Sequence, residues 1–256
     1  MRTRDPLAPA LKPYEVAIRQ SLRPTGLLSP HPEDKKAADP LHSRIGGMPY
    51  WPALATCPLT TDDRPLPFLL QLNFAEWKHV PPFPPDGLLQ LFALPKECIA
   101  GRYYNAAMLG QTALLDAADY DLLMRYGHPR AGPVAPPVGA PARLAVTWVE
   151  APPAPSDWHF SRAIPDDLMA NQAARGPYHR LCEPATASHI GGYGHFPQGD
   201  PRAATTDPGG WTLLLELPSD HRFGLMWGDC QELCVFIRTD ALLRLDFSDL
   251  WLWINP

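Results

Sequence analysis

A shift of 145 residues brings two stretches of this chain into register without a gap. Residues 43–92 open with SRIGGMPYWP and residues 188–237 with SHIGGYGHFP. TTD at 60–62 then meets TTD at 205–207, FLLQL at 68–72 meets LLLEL at 213–217, and LLQLF at 88–92 meets LCVFI at 233–237. Twelve of the fifty aligned positions are identical. The matches also keep one order: an Ile-Gly-Gly turn, an aromatic residue before proline, a polar Thr-Thr-Asp loop, and two apolar runs. A repeat constrains the fold because one supersecondary unit used twice can bury its apolar face against its own copy. The pairs Gly46-Gly47 and Gly191-Gly192 are structural turns, suited to positive φ or to a backbone approach that a Cβ would block. The apolar runs, bounded by Pro, Gly and Asp, read as buried strands.

Proline narrows the choice further. The chain holds 33 prolines in 256 residues, and each removes a backbone donor and restricts φ, which argues against long helices and for ordered loop. Eight of them fall in the connection 128–155 between the copies, where RLAVTWVE at 143–150 nevertheless reads as a strand. Helices are expected over Tyr14–Leu22, Leu114–Tyr126, Asp166–Arg175 and Thr239–Leu245, the third started by Pro165. The expected architecture is one domain over 1–256, α+β, mostly antiparallel β with a few peripheral helices, and pseudo-two-fold through the internal duplication.

Composition excludes several function classes. A net charge of −5 with scattered Lys and Arg offers no basic run to neutralise phosphates, so nucleic acid is not an expected partner. Five cysteines without framework spacing imply free thiols in a reducing compartment. The N-terminal stretch lacks the apolar core of a signal peptide, and no apolar run reaches the ~20 residues of a membrane span. Cytoplasmic localisation without membrane contact is expected.

These motifs resemble the YwqG-like family, a bacterial family largely without assigned function. The resemblance rests on IGGMPYWP, LLQLNFAEW and PPFPPDGLLQLF in the first copy and on IGGYGHFPQGDPR at 190–202 in the second. Trp227-Gly228-Asp229 and the strand ending in Phe236-Ile237-Arg238 complete it, so that it runs from about residue 43 to residue 250. Gly194 and His195 stand where relatives usually carry Pro and Tyr, and Gln231 replaces a common glycine. The resemblance implies a compact duplicated α+β fold and no particular reaction. Relatives in toxin–immunity gene neighbourhoods imply a neutralising binding protein whose partner is a toxin or effector encoded nearby.

Catalytic signatures are absent from the sequence: there is no phosphate-binding loop, no G-x-S-x-G elbow and no deaminase metal motif. GGYG at 191–194 is followed by Pro197 and a polar loop instead of the helix that phosphate binding needs. Cys230 and Cys234, with His189, His195 and His221 upstream, have a zinc-like C-x3-C spacing. Cys234 however aligns with Leu89 in an apolar run, so it reads as a buried hydrophobe sharing a strand face with Cys230. No metal and no cofactor are expected.

The candidate ligand- or partner-binding residues are His195, Asp200, Arg202, Trp227 and Asp229. Trp227-Gly228-Asp229 is the most site-like group, with Asp229 either pinning a loop or acting beside His195. Asp200 and Arg202 either close their own loop or present Arg202 to a carboxylate. Trp51 and Trp158 are candidate interface anchors. Gln71 and Asn73 should tie the sheet to the following loop. Two readings follow: a non-enzymatic protein-binding module of the immunity type, or a small-ligand-binding protein or enzyme with a pocket between the copies.

Overall fold

The apolar runs are nearly unbroken because both faces of their strands are covered, as happens wherever a sheet is sandwiched between packed layers. The computed structural model describes residues 6–31, 39–111, 113–126 and 138–255. The first half supplies β1 (Arg23–Pro30), β2 (Arg44–Ile45), β3 (Phe68–Asn73), β4 (Leu88–Leu94) and β5 (Cys98–Tyr104). The second supplies β6 (Ala142–Ala151), β7 (His189–Gly191), β8 (Trp211–Pro218), β9 (Glu232–Arg238) and β10 (Leu250–Asn255). They form one ten-stranded sheet in the order β10-β9-β8-β7-β1-β6-β2-β3-β4-β5, with antiparallel neighbours throughout. β5 and β10 lie side by side, so the sheet is a nearly closed barrel, which leaves little edge exposed. Gly101 of β5 permits that approach, since a Cβ there would sit 2.5 Å from the Phe247 carbonyl oxygen.

The order is palindromic about the central β1–β6 pair. β1 pairs with β7, and β6 with β2, so each of these two strands joins the half of the sheet remote from it in sequence. The barrel interior therefore mixes the halves: Leu70 and Leu91 pack in one cluster with Leu215, Val235, Phe223 and Trp227. Outside the barrel, Trp51, Phe68 and Phe92 cover one side, and Phe196, Leu213, Cys234 and Phe236 the other. A separate cluster, with Leu11, Ile18, Leu168 and Tyr178, sits under the helices α1 (Glu15–Ser21) and α4 (Gln172–Leu181).

The offset of 145 residues recurs in the geometry. The β3–β4 register shifts between Phe68 and Leu70, and the β8–β9 register between Leu213 and Leu215. Gly46 and Gly47 have φ of 63° and 69°, and Gly191 and Gly192 have 67° and 70°. The Tyr50 amide donates to Gln71 Oε1 at 2.8 Å, and the His195 amide donates to the Glu216 carboxyl at 3.2 Å. Arg44 Nη1 donates to the Met48 carbonyl at 3.1 Å, and His189 Nε2 lies 3.1 Å from the Tyr193 carbonyl.

The helices differ from expectation mainly at their ends. α1 starts at Glu15 after a 3₁₀ turn over Pro9–Tyr14. α2 (Ala117–Tyr126) begins later than expected because Leu114 is held in a bridge to Pro52. The single helix expected over Asp166–Arg175 is two elements, a 3₁₀ turn over Asp166–Leu168 and then α4, because Asn171 caps Ala173 and Ala174 and restarts the chain. A short helix, α3 (Phe160–Ala163), was not anticipated, and α5 (Thr239–Leu243) ends two residues early. Of the Pro-rich connection, residues 128–137 lie outside the described residues; the strand read at 143–150 is present as β6. Among the described residues no helix is long and apolar enough to cross a membrane.

The two glycine turns differ in the room around them, which sets up a measurable contrast. A Cβ on Gly192 would fall 2.2 Å from Thr25 Oγ1, whereas one on Gly47 would meet nothing closer than Pro141 Cβ at 3.5 Å. Left-handed backbone costs a side-chain-bearing residue ~1–2 kcal/mol, and a clash in packed surroundings adds ~1–3 kcal/mol. Gly47→Ala is expected to lose only the first amount and Gly192→Ala the sum of both, measured by urea denaturation. Equal losses would contradict the packing argument.

Candidate functional site

β7 is only three residues long, and it ends in the glycine pair because positive φ at Gly191 and Gly192 turns the chain off the sheet beside β1. The turn forms the floor of a cleft of ≈ 350 Å³. Pro81, Pro82 and Phe83 of the β3–β4 loop line it together with Trp211, Thr212 and Thr239. Arg23 and His159 complete the lining. The cleft thus lies between residues of the first repeat segment and residues in or next to the second.

His159 is oriented from behind. Its Nδ1 and its own backbone amide both lie 2.8 Å from Asp157 Oδ1. Asp157 Oδ2 accepts from the Gly194 amide at 3.0 Å and from Arg202 Nη2 at 2.8 Å. An ionised carboxylate has only acceptors to offer, so it sets the Nδ1–H tautomer and leaves Nε2 on the far side of the ring. Nε2 makes no hydrogen bond among the described residues. Burial would raise the Asp157 pKa, but the bonds from His159 and the Arg202 charge outweigh it and hold the carboxyl below its ordinary range.

Arg202 is the hub of this support. It is 1% exposed, lies over the Phe196 and Phe236 rings, and bonds Asp200 through Nε and Nη2 at 3.0 and 2.7 Å. Asp200 Oδ2 also accepts from the Trp158 amide at 2.8 Å. The Asp157–Arg202–Asp200 triad therefore ties the 156–159 loop to the 194–202 loop, and its carboxylates keep the guanidinium charged against the opposing effect of burial. These bonds close the loop and leave Arg202 buried.

Arg23 reaches the cleft from the start of β1. Its guanidinium lies 4.6 Å from the centroid of the Tyr193 ring, and it makes no hydrogen bond or ion pair among the described residues. His159 packs edge-on against the same Tyr193 ring at 5.4 Å. A guanidinium stacked on a ring face keeps its in-plane N–H donors free.

The remaining sequence candidates separate. His195 stands outside the barrel, its Nδ1 3.6 Å from Glu232 Oε1 and its amide on Glu216. Trp227 is buried in the barrel interior, on the opposite face of the sheet from Arg202 and Phe236, with its amide bonded to Ser219 Oγ. Asp229 is exposed in a turn between Gly228 at φ 51° and Cys230 at φ 60°, so it neither pins that loop through a bond among the described residues nor meets His195. Cys230 lies outside β9 and cannot share a strand face with Cys234, which is buried among Phe196 and Phe236. Among the described residues no group of three or more His, Cys, Asp or Glu could hold a metal ion. Trp51 is 1% exposed and belongs to the packing. Trp158 is half-buried, with Arg162 stacked 3.6 Å from its ring centroid. Gln71 ties the sheet to the preceding segment, through Tyr50, Pro40 and His42; Asn73 caps the following turn at Ala75 and also donates to Leu41.

Asp157, His159 and Arg23 went unseen in the sequence reading. The only local signal was the spacing Asp-x-His in SDWH, which is common in ordinary Asx turns. Arg23 carries no motif at all.

Fold and cleft together define a barrel-like, antiparallel β protein with a recessed cleft of mixed aromatic and cationic lining. The chain belongs to the family described as a domain of unknown function, DUF1963, whose model matches residues 43–255. A search of curated proteins finds no match.

Proposed function

We propose that this chain is a binding protein for a small ligand, and that its site is the cleft between two copies of one β-rich unit. The observation that carries the reading is the placement of the cleft: its lining combines residues 81–83 of the first aligned segment with residues 191–192 and 211–212 of the second. The duplication is supported by the shared offset of the bulges, the glycine φ values and the amide bonds to Gln71 and Glu216. Seams between repeats are favoured ligand sites because each copy contributes one wall. Binding is favoured over covalent catalysis because the hydroxyls lining the cleft, Thr212 and Thr239, are hydrogen-bonded to each other at 2.8 Å. Prolines at the rim lower the entropy lost when a ligand is enclosed.

A fragment screen read by NMR tests this. The expected hits shift the amide signals of Gly191 and Gly192 and the indole signal of Trp211 in concert. Hits that cluster elsewhere and leave those signals unmoved would overturn the reading.

Toxin neutralisation, which the family resemblance implies, is a second reading. It is favoured by two exposed apolar side chains in the first half, Leu54 at 92% and Leu122 at 54% exposure. Co-expression with the product of the adjacent gene should then give co-purification and growth rescue, and Leu122→Glu should abolish both. Failure with the unaltered chain removes it.

A further inference from the structure

We infer that the cleft selects an organic anion with a flat apolar body, its carboxylate or phosphate taken by Arg23 and His159. The inference rests on the small-ligand reading above and adds the chemistry of the ligand.

Three features of the site point the same way. Among the described residues Arg23, which lines the cleft, has no ion pair and is held against the Tyr193 ring. No Asp or Glu is among the described residues that line the cleft. The carboxylate nearest behind it, Asp157, is already committed to Arg202, Gly194 and His159. An uncompensated guanidinium in a recess is costly to desolvate unless an anion completes it, and its forked donors match carboxylate and phosphate oxygens.

The second feature is His159. Its ring is clamped at Nδ1 by Asp157 and wedged between Trp158 and Tyr193, with ring centroids at 5.0 and 5.4 Å. Clamping one nitrogen leaves the other as a pre-oriented contact, the arrangement by which a histidine is readied for a ligand. The protonated form of the ring has an N–H at Nε2 that can donate to an anion seated on Arg23. The third feature is the aromatic share of the lining, Phe83 and Trp211, which offers ring surface to a planar apolar body.

The experiment is a titration of the intact chain followed by tryptophan fluorescence and calorimetry. The probes are benzoate, phenyl phosphate, inorganic phosphate and the neutral benzyl alcohol. Saturable binding of benzoate or phenyl phosphate is expected, at least tenfold tighter than benzyl alcohol and weakening as salt is raised. Arg23→Gln should lower the affinity for those anions at least tenfold while leaving the far-UV circular dichroism spectrum unchanged. Inorganic phosphate alone should bind more weakly than phenyl phosphate, and tighter binding of bare phosphate would overturn the flat-body requirement. Preference for phenyl phosphate over benzoate, or the reverse, identifies the acidic group. If benzyl alcohol binds as well as benzoate and Arg23→Gln changes nothing, the charge-based inference falls while the small-ligand site stands. If every probe fails against the folded chain and the fragment screen still places hits at Gly191 and Trp211, the inference again falls alone. Failure of both removes the cleft as a site.

Discussion

Arg202→Met should destabilise the chain by about 3–5 kcal/mol, the range seen when one partner of a buried ion pair is removed and its counter-charges are left behind. Arg202 is 1% exposed, and the side chains of Asp157 and Asp200 are 0% and 3% exposed. Without the guanidinium, two carboxylates would face each other with little water to screen them. Arg102 provides the control. In the first half it occupies a similar place, its guanidinium over the Trp51 and Phe92 rings, yet among the described residues it has no carboxylate partner and bonds the Thr56 carbonyl and the Tyr104 hydroxyl. Arg102→Met should therefore cost only about 1–2 kcal/mol, the loss of charged hydrogen bonds near the surface. Urea denaturation of both variants at neutral pH gives the comparison.

The Arg202 effect also has a pH signature. Asp157 has its folded pKa depressed below 3.8, so its contribution is present above that value and is lost as pH falls through the folded pKa. In Arg202→Met the guanidinium's share of that depression is lost, while the His159 bonds remain. The gap between the variant and the parent chain should narrow in acid, where protonation removes the carboxylate charge in both. A gap that stays constant down to pH 3 would show that lost packing against Phe196 and Phe236, and not charge, accounts for the destabilisation.

Glu216→Gln is expected to act in the opposite direction. Glu216 is fully buried on the outer face of β8, and burial, reinforced by the nearby Glu232, pushes its pKa well above 4.5 against the bond from the His195 amide. A raised folded pKa means that the folded chain binds a proton the unfolded chain has released. Stability is then full below pH 4.5 and declines as pH rises toward the folded pKa, by about 1.4 kcal/mol per pH unit for one group. Glutamine cannot titrate and so escapes that decline. The first half supplies a comparison: neutral Gln71, 145 residues earlier, is also 0% exposed and accepts from the Tyr50 amide as Glu216 accepts from the His195 amide. The variant should match the parent near pH 4 and exceed it by a margin that widens toward pH 8, read as thermal or urea midpoints across the range. A margin independent of pH would show that Glu216 is ionised in the folded chain.

Much of the strand layout was legible in the sequence because it depends on local pattern. The runs at 68–72, 88–92, 213–217 and 233–237 are strands since short apolar segments bounded by Pro, Gly and Asp have few other ways to satisfy their backbone. The glycine pairs were legible for the same reason: few residues other than glycine tolerate two successive positive φ angles. The role of Asp200 was open between two readings, and local turn chemistry accounts for the one found, since an aspartate ahead of Pro-Arg caps the Arg202 amide at 2.9 Å.

The site was not legible, because each of its members is placed by a contact far away in the chain. Trp227 and Asp229 looked alike as neighbours of a turn, but the curvature of the barrel sends the first into the interior and leaves the second in solvent. His159 and Asp157 lie in the stretch between β6 and β7, for which the repeat supplies no template. Only the bond from Asp157 to Arg202 reveals that this stretch supports the cleft.

What the amino-acid order determined alone is where strands and turns occur and which residues alternate between the two faces, since those properties arise within a few bonds of each residue. What the tertiary structure decided is which strands become neighbours. β1 joins β7 and β6 joins β2 because that exchange lets both halves bury Leu70, Leu91, Leu215 and Val235 in a single interior. Burial of that kind is a property of the whole assembled surface. Through the same exchange Arg23 comes to lie beside His159, and the cleft exists only because of it.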